Sequence, residues 1–237
     1  MTIIGIPAGW PADEDAARDV QRELRGRIVR DEPGPAVGEG HVTGLDVAYD
    51  DERDLVAAAA VVLDARTLDV VEEATAVGRV SFPYVPGLLA FREIPTVLAA
   101  LGSLTADPGL LVCDGYGLAH PRRFGLASHL GVLTGRPSIG VAKNPFTFTY
   151  EQPGPERGEF SALLAADGAD EEDEEVGRAL RTQAGVKPVF VSVGHRVSLD
   201  RACAHTLHLS PRYRIPETTR HADSLCRTAL KEALART

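Results

Sequence analysis

Apolar residues recur four apart at Ala16, Val20, Leu24 and Ile28 with charges between them. This spacing predicts an amphipathic helix over 12–29, packed on the outside of the domain. Three apolar stretches follow, at 41–49, 55–63 and 68–77, separated by Asp50-Asp51-Glu52 and Asp64-Ala65-Arg66. Turns this short join only antiparallel neighbours, so the stretches predict a three-stranded meander. From residue 95 the pattern alternates: helix 95–104 opening with Pro95, strand 109–113, helix 124–134, strand 138–142, strand 187–193 and helix 199–208. Alternating β and α units predict parallel strands joined by crossovers. A last helix over 218–235 carries Ala222, Leu225, Cys226, Ala229, Leu230 and Ala233 on one stripe.

A meander followed by βα units is the order of ribonuclease H-like α/β folds, a mixed sheet flanked by helices. With 237 residues, 44% hydrophobic and 25% charged, the chain is read as a single domain over 1–237, with 151–186 as a variable acidic connection. No apolar run is long enough for a membrane span, and the start lacks the basic-then-apolar pattern of an export signal. The expectation is a cytoplasmic protein, monomeric by default. Cys113, Cys203 and Cys226 are odd in number, lack C-x-x-C spacing and have apolar neighbours, so they read as buried thiols.

A net charge of −9 argues at first against a nucleic-acid partner, but the charge is unevenly spread. Residues 167–175 (DGADEEDEE) hold seven acidic and no basic side chains, whereas 176–237 hold eleven Lys or Arg against four acidic. The acidic run reads as a solvated loop tip.

Four carboxylates and one lysine carry the candidate chemistry. Asp46 lies mid-strand between Leu45 and Val47, where an uncompensated charge costs several kcal/mol to bury. It needs a cation or strong donors, or it ends a strand or pairs with an arginine. Asp114 follows Leu110-Leu111-Val112-Cys113 at the carboxyl end of a strand, the edge where open α/β sheets bind ligands. Lys143 ends the next unit, and adjacent strands would bring the two within roughly 5 Å, as a crevice pair or a structural ion pair. Glu93, just before Pro95, can serve the helix dipole, and Asp223 can pair with Arg227 four residues on. Together, hard oxygen ligands on separate elements suit Mg²⁺ or Mn²⁺ and the hydrolysis of phosphodiesters.

Five separated blocks, GLDVAY (44–49), FPYVPGLLAFREIP (82–95), LVCDGYGLAHPRRFGLASHLGVLTGRPSIGVAK (111–143), GHRVSLDRA (194–202) and YRIPETTRHADSL (213–225), resemble the endonuclease V family. The resemblance implies a ribonuclease H-like nuclease that acts on deoxyinosine in DNA with Mg²⁺, or Mn²⁺ as substitute. It implies a cut on the 3′ side of the lesion, at the second phosphodiester bond. It places metal on Asp46 and Asp114, completes the catalytic cluster with Glu93, Asp223 and Lys143, and gives His120 a phosphate contact. Tyr84, bracketed by Pro83 and Pro86, matches the family's wedge; Gly87, Leu89, Gly115, Gly125, Leu126 and Ala142 match its base pocket. Tyr116 departs from the family, which often has histidine there, and 151–186 does not resemble it closely. Inosine-containing or structured RNA is the alternative substrate, and a binding module that does not cut is the alternative class. Concentrating carboxylates beside phosphate argues against a pure binder.

Overall fold

The computed structural model describes residues 6, 7, 9–165 and 174–236. Among these, one nine-stranded mixed sheet forms the centre, in the order β3-β2-β1-β4-β5-β9-β8-β7-β6. The meander is β1 (His41–Asp50), β2 (Leu55–Asp64) and β3 (Val70–Arg79), all antiparallel. β4 (Leu110–Cys113) then pairs parallel with β1, and β5 (Ser138–Ala142) parallel with β4. This is the expected ribonuclease H-like order.

The second half departs from expectation. β9 (Val189–His195) runs antiparallel to β5, because the described residues between them build no crossover helix. They form β6 (Phe148–Thr149), β7 (Phe160–Ala165) and β8 (Glu175–Leu180), which extend the sheet by antiparallel pairing. The 151–186 stretch is therefore partly sheet. Residues 167–173 of the acidic run lie outside the described residues; Glu174 pairs with Arg30 and Arg123, and Glu175 with Arg178.

On one face of the sheet α5 (Glu217–Ala235) and α4 (Leu199–His208) bury Ala222, Cys226, Ala202 and Cys203 against Val42, Val61, Val112 and Val191. α5 can lie this close because Gly44 on β1 has no side chain: a Cβ there would stand 2.0 Å from the Thr218 carbonyl oxygen. On the other face α2 (Ala90–Gly102) and α3 (Leu126–Thr134) cover Leu45, Ala58, Leu111 and Cys113. α1 (Glu14–Arg25) adds an outer layer, as expected, but its buried face is Ala17, Gln21 and Leu24, and Ile28 lies beyond its end. Among the described residues no helix is long and apolar enough to cross a membrane.

α2 begins five residues before the expected start, with Pro95 inside it. Proline has no N–H to give the carbonyl of Phe91 four residues back. The indole Nε1 of Trp10 donates to that carbonyl instead, at 3.2 Å, so the helix continues.

Candidate active site

Three neighbouring strands deliver three charged side chains to one edge. The parallel register sets Leu45 opposite Cys113 and Cys113 opposite Gly140, so Asp46, Asp114 and Lys143 emerge side by side. The Asp114 amide donates to the Leu45 carbonyl at 3.1 Å and fixes this alignment. Lys143 forms an ion pair with Asp114, and its Nζ lies 3.9 Å from Asp46 Oδ2. Asp46 Oδ1 accepts from the Val47 amide at 2.8 Å, while its buried Oδ2 has no hydrogen-bond partner among the described residues.

Burial, reinforced by the charge of Asp114, pushes Asp46 up to about 8. Burial also works against the Lys143 ammonium, but Asp114, Asp46 and Asp223 outweigh it and hold Lys143 above the ordinary lysine range. Glu93 sits in the first turn of α2, where burial pushes it up to about 7 despite the Tyr49 hydroxyl that donates to its Oε1 at 3.0 Å. Asp223 stands apart: a two-pronged pair with Arg227, at 2.9 and 3.1 Å, holds it below the usual carboxylate range. The helix-surface pair is therefore present, although Asp223 also adds its charge to Asp46 and Lys143. Among the described residues no three His, Cys, Asp or Glu side chains converge as a ready-made metal cage. Asp46 and Asp114 are the donors suited to a hard cation, and Asp46 Oδ2, which has only the Lys143 ammonium at 3.9 Å and no hydrogen bond among the described residues, is the atom left most open to one.

Beside Asp114 opens a cavity of about 210 Å³. Gly87, Leu89, Gly115, Gly125 and Leu126 line it, together with Glu93, Asp114 and His120. Ala142 does not; it is buried with Ala119, Phe148 and Phe190, in the cluster against which Tyr116 packs. Sequence reasoning missed Gln21, Phe124 and Phe146 in the wall. Gln21 was hidden inside a helix judged by its apolar stripe. Phe146 stacks on Tyr116 with centroids 5.7 Å apart, and the Tyr116 hydroxyl donates to the Asn144 carbonyl, next to Lys143.

The loop carrying Gly87, a glycine at φ +79°, is pinned through its carbonyl oxygen. Gln21 Nε2 donates to it at 3.0 Å, His120 Nε2 lies 3.0 Å away and Arg122 Nη2 2.7 Å. His120 Nδ1 accepts from the Arg122 amide, so both ring nitrogens are engaged within the fold. Burial, with Arg122 adding, takes His120 down to about 4, so its ring is neutral and serves as a strut of the pocket wall. Arg123 and Arg196 pair with Glu174 and Glu32, and His195 is buried against the Val29 amide. Tyr84, three residues before Gly87 in the chain, is 69% exposed, with the Arg92 guanidinium 5.9 Å from its ring centroid. Arg92 also lies over Tyr49, the donor to Glu93, and pairs with Asp51.

The sequence model of the family described as Endonuclease V matches residues 22–224. An endonuclease V of Streptomyces avermitilis is 77% identical over 99% of this chain and 100% of its own length. The crystal structure of endonuclease V from that organism superposes with a TM-score of 0.92 at 76% identity, covering 98% of this chain and all of that one. Endonuclease V of Ciona intestinalis, crystallised with a 24mer DNA containing an inosine followed by a ribo-adenosine, gives a TM-score of 0.79. It is 31% identical, covering 93% of this chain and 100% of that one. Aligned over nearly its whole length with proteins of one kind, in sequence and in backbone, this chain belongs to the endonuclease V family.

Proposed function

We propose that this protein is a DNA-repair endonuclease that recognises deoxyinosine and hydrolyses a phosphodiester on its 3′ side, using Mg²⁺ or Mn²⁺. The observation that carries the reading is the buried Oδ2 of Asp46, without a hydrogen-bond partner among the described residues, beside Asp114 and Lys143, next to an open cavity that Asp114 lines. Burying a carboxylate without compensation costs several kcal/mol, a cost that persists in a fold where a cation offsets it. Asp46 and Asp114 would hold the metal, and when bound it supplies an acidified water and neutralises charge on the leaving oxygen.

The protein's own groups do the rest. Lys143, kept protonated by its carboxylate neighbours, is placed to hold a phosphate oxygen once its Asp114 partner is engaged elsewhere. Leu89, Phe124, Leu126 and Phe146 give the cavity apolar walls for a planar base, while Gly87, Gly115 and Gly125 let backbone approach its edge. Tyr84, exposed on a proline-bracketed loop, can occupy the stack that the extruded base leaves. The Ciona complex with inosine-containing DNA supports the same substrate here.

The deciding experiment compares cleavage of matched inosine-DNA, inosine-RNA and adenine-DNA, with Mg²⁺, Mn²⁺ or chelator. Cutting of inosine-DNA that needs the metal and maps 3′ to the lesion is expected. Preference for inosine-RNA would move the substrate to the alternative, and binding without cutting would remove the enzyme assignment.

A further inference from the structure

Two grooves beyond Lys143 remain without a role. One, of about 500 Å³, is lined by Lys143, Tyr213, Arg214, Arg220 and Asp223 among others. The second, of about 300 Å³, is lined by Lys143, Asn144, Tyr150, Lys187 and Arg214. They share Lys143 and Arg214, and Asp114 lines the base cavity. Contacts therefore run in order from cavity to Asp114, to Lys143, to grooves.

The groove chemistry is that of a nucleic-acid track. Tyr213 is 50% exposed, with the Arg220 guanidinium 3.7 Å from its ring centroid, which stiffens an aromatic platform. Arg220 is balanced by Glu217 at 2.7 Å, and Asp223 by Arg227. Among the described residues no carboxylate pairs with Arg214 or Lys187. Arg214 donates to the carbonyls of Lys187, Pro188 and Lys143, which ties the groove wall to the catalytic lysine's own backbone. Positive charge along a groove with exposed aromatic faces binds strands with little sequence preference.

The geometry points to these grooves as the seat of the substrate strand beyond the scissile bond, on the side away from the base cavity, with a base or sugar on Tyr213 and phosphate at Lys187 and Arg214. A strand with its base in the cavity and its cut at Asp114 and Lys143 has to continue there. That this is the 3′ flank rests on the cut direction in the reading above.

The test is binding of the full chain, in chelator, to inosine duplexes with a long flank on both sides, or with the 3′ or the 5′ flank ending close to the lesion. Tyr213→Ala should weaken binding to the long duplex about tenfold, the scale of one lost stacking contact. Lys187→Ala should flatten the log–log salt dependence by about one unit. Both variants should match wild type on the duplex lacking the 3′ flank, and keep their defects on the one lacking the 5′ flank. Tyr213→Phe, which keeps the ring, should bind like wild type. Defects that persist without the 3′ flank, vanish without the 5′ flank, or never arise would overturn the track. Inosine against adenine is read in the same duplexes: loss of that preference in wild type removes the base-specific reading, while flank dependence still decides the grooves.

Discussion

The cleft has two halves that meet at Asp114, and they are built on opposite rules. On the cavity side one carbonyl oxygen, that of Gly87, is met by Gln21, His120 and Arg122, and Gln21 spends its remaining amide hydrogen on Phe124. On the carboxylate side Asp46 and Asp114 repel one another, share one lysine, and leave a buried oxygen with no hydrogen-bond partner among the described residues. A saturated polar network fixes a shape, whereas an unsatisfied carboxylate stores a demand for charge. The first half is finished by folding; the second is finished by what binds.

The largest effect should come from breaking the unfinished half. Asp114→Asn or Asp46→Asn should lower cleavage by at least roughly 10²–10³-fold, the scale of losing one electrostatic stabiliser. Full activity of either variant in Mg²⁺ would end the assignment. Stability should move the other way. Asp46 is raised from 3.8 to about 8 in the folded chain, so its contribution is whole below about pH 4 and is lost as pH rises toward 8. In chelator, Asp46→Asn should flatten that decline in thermal melts. A variant that declines with pH as steeply as wild type would show that Asp46 is not the strained group.

Breaking the finished half should cost stability first. Gln21→Ala removes donors to the buried Gly87 and Phe124 carbonyls and should destabilise the fold by about 1–3 kcal/mol. His120 and Arg122 still hold Gly87, which favours the low end of that range. Discrimination between inosine and adenine should fall along with it, with metal dependence intact. An unchanged denaturation midpoint would mean that the clamp contributes nothing. Tyr84, exposed and outside the cavity wall, belongs to neither half, and Tyr84→Ala should lose several-fold more activity on duplex than on single-stranded substrate. Equal losses would place the ring in the pocket or the fold instead.

Legibility in the sequence follows the same divide. The meander and the β4–α3–β5 unit were readable because their alternation and turn residues are local, and the carboxyl ends of β4 and β5 follow directly from it. Asp46, Asp114 and Lys143 converge for that reason. The start of α2 was misread because Pro95 looks like a first-turn residue unless Trp10, 81 positions from Phe91, is known to take the freed carbonyl. β7 and β8 were hidden by the acidic run between them, which outweighs the weak alternation of Phe160–Ala165 and Glu175–Leu180. Gln21 was out of reach for a related reason: its three partners come from two distant loops, and nothing near residue 21 announces them.

The smallest effect at neutral pH, growing only in acid, should come from an exception on the cavity side. His129, on α3, is fully buried, and among the described residues neither ring nitrogen has a hydrogen-bond partner. It lies among rings: Trp10 stacked at 5.5 Å, Phe91 edge-on at 5.1 Å and Phe124 tilted at 5.0 Å. Burial takes it down to about 3, so the folded protein holds a neutral imidazole where the unfolded chain protonates near 6.5. For a depressed base the stability is present above pH 6.5 and is lost as pH falls toward 3, at about 1 kcal/mol per pH unit in that window. His129→Phe keeps an aromatic side chain at the position and removes the proton site, so its acid limb should be shallower by that amount, with cleavage at neutral pH unchanged. Because Phe124 also lines the cavity, acid loosening should reach the base pocket first, seen as lost inosine preference before global unfolding. An identical acid limb in the variant would place the sensitivity elsewhere, and loss of neutral activity would show that the ring acts on the site through more than its charge.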